Sequence, residues 1–142
     1  MTSEARLYTF SDETKTFLRK FRLGTSRAKD PAAVIFFIDK TTKEIRQEED
    51  VVYHDLAELA EELPDHSPRF VLLSHPVHLN GSGRLSVPYV MLYYLPKTCN
   101  AALRMLYAGA KELMRNTSEV TKIIDIESPE DIEEIPEKLR EG

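Results

Sequence analysis

The stretch Ala32-Ala33-Val34-Ile35-Phe36-Phe37-Ile38 decides the fold. It is a short, unbroken apolar run rich in β-formers, and such a run reads as a strand covered on both faces. On its N-terminal side lies one helix. Ser11 can cap it, and Asp12 and Glu13 suit the positive end of its dipole. Phe17, Leu18 and Phe21 fall on one face of that helix, and Gly24 supplies a stop signal.

On the C-terminal side, Asp39 to Thr42 form a polar turn and residues 44–53 a weaker, more exposed strand. Residues 55–63 put Leu56, Leu59, Ala60 and Leu63 on one side of a helix and acids on the other, and Pro64 ends it. A strand follows over 69–75. Asn80-Gly81-Ser82-Gly83 signals a tight turn into one long aromatic strand over 84–95, where Pro88 marks an edge or a bulge. The longest helical pattern spans 99–115, and 122–127 reads as a fifth strand. Ser128-Pro129-Glu130 opens an acidic terminal helix that Pro136 bends or restarts. Hairpins alternating with helices predict an α/β chain of the α+β type. We expect a single domain over 1–142, with a central mixed five-stranded sheet sandwiched by helices.

Composition narrows the function. The 142 residues are 42% hydrophobic and 30% charged, ordinary for one soluble domain with a real core. No stretch approaches the roughly 18–20 apolar residues of a membrane span, and MTSEARLYTF lacks the pattern of a signal peptide. The lone cysteine, Cys99, fits a reducing cytoplasm, in which the sequon at Asn116 stays idle. Residues 1–29 carry a net +4 and residues 125–142 a net −6, within a chain total of −5. That balance argues against nucleic-acid binding and suits oriented docking to another protein, although two solvated faces would look the same.

No catalytic constellation emerges, and we expect no enzyme activity, cofactor or metal. A nucleotide-binding glycine loop and a G-x-S-x-G elbow are both missing. His75 and His78 flank Pro76 near a strand end, where positions three apart point to opposite faces. Cys99 falls on an apolar helix face, as a small hydrophobe does.

The long helix is more specific. At about 100° per residue, Cys99, Ala102, Leu103, Leu106, Ala110 and Leu113 share a face that would pack on the sheet. Arg104, Lys111 and Arg115 form a stripe on the other side with Ala108, flanked by Met105 and Tyr107. Arg, Tyr and Met are enriched at interfaces. An ordinary solvated helix face stays open as the alternative. The first helix repeats the theme: Lys15, Arg19 and Arg22 line up opposite Phe17 and Phe21, with Lys20 to one side.

The segment Arg104-Met105-Leu106-Tyr107-Ala108-Gly109-Ala110-Lys111 resembles the long-helix motif of the actin-depolymerising factor/cofilin homology (ADF-H) family, in its glia maturation factor form. Leu63-Pro64-Asp65-His66-Ser67-Pro68-Arg69-Phe70-Val71 resembles that branch's entry to the third strand, and Lys20-Phe21-Arg22 is similar to it too. The likeness runs in order over roughly residues 8–140. It implies an actin cytoskeleton regulator that binds the actin-related protein 2/3 complex, inhibits branched nucleation and promotes debranching. It further implies a monomer with actin at the branch junction as a second partner, and no membrane or nucleic-acid partner. Carried over by position, Arg104, Met105, Lys111 and Arg115 would face the partner, with Tyr107 divided between core and interface and Thr2 and Ser3 in the N-terminal segment. Arg19, Lys20 and Arg22 join them mainly on the strength of their own stripe.

The alternative is a cofilin-like protein that severs or depolymerises filaments. Two departures from that pattern weigh against it. Glu112-Leu113-Met114-Arg115-Asn116 is less basic than cofilin's lysine-rich continuation, and the terminal helix carries Glu130, Asp131, Glu133, Glu134 and Glu137. We expect the protein in the cytoplasm at cortical actin structures, with the nucleus as a further compartment open to it.

Overall fold

A computed structural model describes residues 7–142 of the chain; Thr2 and Ser3 lie outside the described residues. The apolar run 32–38 forms β1 (Ala32–Ile38), buried along nearly its whole length. It pairs antiparallel with β2 (Ile45–Gln47) on one side and β3 (Arg69–Ser74) on the other. A two-stranded ribbon, β4 (Val77–His78) with β5 (Leu85–Ser86), stands apart from the sheet. β6 (Tyr89–Tyr94) pairs antiparallel with β3 and parallel with β7 (Lys122–Ile126). The sheet order is β2-β1-β3-β6-β7, a mixed five-stranded sheet. A parallel step needs a long crossover, and the longest helix, α3 (Ala101–Ser118), supplies it.

Alternation sends each strand's side chains into two layers. One layer holds Val34, Phe36, Phe70, Leu72, Met91 and Tyr93. It is covered by Leu18 and Phe21 of α1 (Asp12–Thr25) and by Tyr107, Ala110 and Met114 of α3. The other holds Ala33, Ile35, Val71, Leu73, Val90 and Leu92. It is covered by Leu59 and Leu63 around α2 (Leu56–Glu62), by Ile132 of a 3-10 turn (Pro129–Glu134), and by Ile135 and Leu139 of α4 (Ile135–Arg140). Phe70 has no exposed surface and stacks on Tyr93 at 5.7 Å, with Tyr107 at 5.4 Å. Truncating such a ring to Ala costs about 3–5 kcal/mol.

The long helix read over 99–115 runs instead from Ala101 to Ser118, and other boundaries differ more. The strand expected over 44–53 shrinks to Ile45–Gln47. Exposed Glu49 and Asp50 loop away from the sheet, and pairing resumes only at Tyr53, which exchanges two 2.8 Å bonds with Ala33. The run 84–95 is two strands, because Pro88 has no N–H to continue a ladder; its carbonyl accepts from His75 N–H at 3.2 Å. Helix α1 passes through Gly24 to Thr25, since hydroxyls of Thr25 and Ser26 bond the carbonyls of Phe21 and Leu23. The caps read from sequence hold at Ser11, whose Oγ accepts from Thr14 N–H at 3.0 Å. Ser128 and Asp131 form a reciprocal capping box, and the terminal segment restarts as α4 at Pro136.

Candidate functional site

Helix α3 begins at Asn100, whose side-chain oxygen accepts from Leu103 N–H at 2.9 Å. It ends at Glu119, in the left-handed conformation at φ 61°. Its buried line is Tyr107, Ala110, Met114 and Ser118, with Leu103, Leu106 and Leu113 half-buried beside it. Ala102, expected inside, is exposed, and Cys99 is buried just ahead of the helix.

Tyr107 is therefore a correction. It is 2% exposed, and its hydroxyl accepts from the N–H of Ile38 at 3.0 Å. Burial pushes the phenol's pKa above its ordinary value. It is a core residue and cannot meet a partner.

The helix is rolled relative to its apolar count because a segment outside it covers the Leu106 flank. The Tyr8 hydroxyl donates to the Leu106 carbonyl at 2.7 Å. Gly109 makes room: a Cβ there would lie 2.5 Å from the Tyr8 oxygen. The same arm then reaches β2, with Thr9 accepting from Ile45 N–H at 2.8 Å. A glycine inside a helix costs about 1 kcal/mol against Ala, so Gly109 was the available sign of a close approach. The sequence reading used Gly109 only as part of a motif and did not place Tyr8.

Roll of the helix redistributes the stripe. Met105 stands on the crest, 75% exposed. Arg104 is half-buried and spends its guanidinium on the carbonyls of Pro96 and Lys97, at 3.3 and 3.2 Å. Lys111 leans the other way from Tyr8, about 160° around the helix from Gly109. Its Nζ lies 3.6 Å from the Asp125 carboxylate and 4.8 Å from the centre of the Tyr93 ring. Arg115 remains on the outer side, 3.3 Å from Glu112.

Helices α1 and α3 share one face of the sheet, a proximity that sequence alone did not provide. Arg22 of α1 reaches Glu119 at the end of α3, 3.8 Å away. Arg19 and Lys20 are exposed and, among the described residues, form no ion pair. Leu23 beside them is 62% exposed, and Leu7, just before Tyr8, is 55% exposed. The result is one surface with exposed apolar Met105 on α3, exposed cations on α1 that form no ion pair among the described residues, and Lys111 held on the far side of α3. Among the described residues, no group of three His, Cys, Asp or Glu is placed to hold a metal. Nor, among the described residues, is any helix long and apolar enough to cross a membrane.

Residues 7–140 match the family model of cofilin/tropomyosin-type actin-binding proteins, and the chain belongs to that family. The family is defined by actin binding rather than by a reaction. Human glia maturation factor beta is 36% identical over 124 residues, spanning 87% of this chain and 84% of that protein. Protein AIM7 of Saccharomyces cerevisiae is 38% identical over 146 residues, spanning 95% and 97%. The solution structure of glia maturation factor from Caenorhabditis elegans, at 33% identity, matches with a TM-score of 0.75 over 97% of this chain and 99% of that one. Together they put the chain in the glia maturation factor branch. Cofilin from Streptomyces griseoflavus, at 18% identity and a TM-score of 0.77, shares the fold.

Proposed function

We propose that this chain is a non-catalytic regulator of branched actin. It binds the actin-related protein 2/3 complex, inhibits nucleation of new branches and promotes loss of existing ones. The observation that carries this reading is the face on which exposed Met105 of α3 accompanies the exposed cations of α1, in a chain similar to glia maturation factors. Met105, Arg115, Arg19 and Lys20 make the contact. Lys111 swings off Asp125 to join them, Arg104 and Arg22 brace the surface, and Thr2 and Ser3 contribute to binding. The protein works as a monomer in the cytoplasm, at cortical actin structures, with actin at the branch junction as its second contact.

A cofilin-like severing activity is the second reading, favoured by the family's actin-binding description. The test is imaging of branched filaments with the purified chain added, paired with co-sedimentation. Branch loss without severing supports the proposal. A chain that severs bare filaments and ignores the complex overturns it.

A further inference from the structure

The sheet face away from α1 and α3 carries a second surface. Helix α2 and the 3-10 turn enclose a groove of about 320 Å³. Leu56, Ala60, Pro129 and Ile132 give it apolar walls, while Glu61, Glu130 and Glu133 stand at its rim. Among the described residues, no lysine or arginine lines it. The three glutamates are exposed and, among the described residues, none is in an ion pair.

The placement of Glu61 works against local stability. Glu61 and Glu62 lie in the last turn of α2, which has no basic residue, and the negative end of a helix dipole disfavours carboxylates. Glu58 and Glu62 continue the acidic surface around the helix, and Glu134 continues it past the turn. A cation supplied from outside would offset that local cost.

We propose that this groove docks a Lys- or Arg-bearing amphipathic helical segment of a partner protein. The segment's apolar side chains sit between α2 and the 3-10 turn, and its cations meet Glu61, Glu130 and Glu133. An apolar floor between acidic banks matches the helix-in-groove mode of recognition, with charge selecting the partner. The site lies on the opposite side of the sheet from the α1–α3 face, so both can be occupied at once. It is also distinct from the far end of the terminal helix, where Asn80 N–H of the ribbon turn bonds the Arg140 carbonyl at 2.9 Å.

The probe is a short synthetic helical peptide with Leu and Ala on one face and Lys on the other, titrated into the full-length ¹⁵N-labelled chain. We expect saturable shifts at the amides of Ala57, Ala60, Glu61 and Ile132, and none with a shuffled peptide of the same composition. Glu61→Lys with Glu133→Lys should weaken binding about tenfold or more. Ala57→Glu separates the groove from mere charge: Ala57 is exposed at the lip, so the change adds an acid but fills the space. Weaker binding by that variant supports the proposal. Tighter binding, or equal shifts with the shuffled peptide, overturns it. So does concentration-dependent self-association of the chain alone, since Leu23 between Arg19 and Lys20 would then fill the groove of a second copy.

Discussion

The hydroxyl of Tyr8 bonds the carbonyl of Leu106 through the space that a side chain at Gly109 would occupy. One missing methyl lets the N-terminal arm cross the long helix, cover its Leu106 flank and continue to β2. We predict that Gly109→Ala expels the Tyr8 ring. The gain in helix propensity, about 1 kcal/mol, is outweighed by the lost hydrogen bond of about 0.5–1.5 kcal/mol together with exposure of the buried Tyr8 ring, about 1.5–3 kcal/mol. Global stability should then fall by about 1–3 kcal/mol, and amide exchange at Ile45 should rise as the arm loosens. Unchanged exchange at Ile45 would show that the arm is held by something other than Tyr8.

Tyr107 tests whether the helix roll is right. Tyr107→Phe strands the buried Ile38 N–H, which should cost about 1–3 kcal/mol in urea unfolding. Affinity for the actin-related protein 2/3 complex should not change, because the ring is inside. A variant of full stability with impaired binding would turn the helix the other way.

On the outer side the expectation reverses. Replacing Lys111 and Arg115 by Ala should weaken binding to the complex by a few kcal/mol at most, with little change in melting temperature. Both ion pairs are partly exposed, and such pairs contribute about 0–1 kcal/mol. Unchanged affinity would mean that the stripe is merely solvated, and loss of folding would contradict the exposure of both side chains.

Tyr93 gives a pH test. Its hydroxyl is buried and, among the described residues, has no hydrogen-bond partner, unlike those of Tyr89, Tyr94 and Tyr107. Burial, then the Asp125 carboxylate, pushes its pKa up to about 12 from 10.0. The folded form therefore keeps a proton that the unfolded chain releases. This contribution to stability is full below pH 10 and is lost as pH rises through about 12. Tyr93→Phe removes the unsatisfied oxygen and should raise stability at pH 7 by about 1 kcal/mol. It should also flatten the alkaline loss seen in melts between pH 9 and 12. A destabilised variant, or an alkaline slope equal to the parent's, would contradict this account.

Much of the fold was legible because it rests on local rules. The unbroken run at 32–38, the caps at Ser11 and Ser128, the acidic-apolar split of α2 and the proline restart at Pro136 are each decided by neighbours in sequence. The strand over 44–53 and the single run over 84–95 were overdrawn. Pairing depends on what a partner strand offers, and neither the looping acids nor the ribbon beside β3 is a local property. At the site, Met105, Arg115, Arg19 and Lys20 stand on the outside as the pattern implied. Tyr107 does not, because apolar counting assumes that only the sheet covers a helix.

Periodicity, turn chemistry and motif, which act over a few residues, were enough for the helices, the strand β1 buried on both faces, the family and the charge on each helix. The roll of α3, the meeting of Arg22 with Glu119, the hold of Asp125 and Tyr93 on Lys111 and the groove between α2 and the 3-10 turn came from packing alone. Each of those depends on two segments distant in sequence competing for the same space, and no window along the chain contains both.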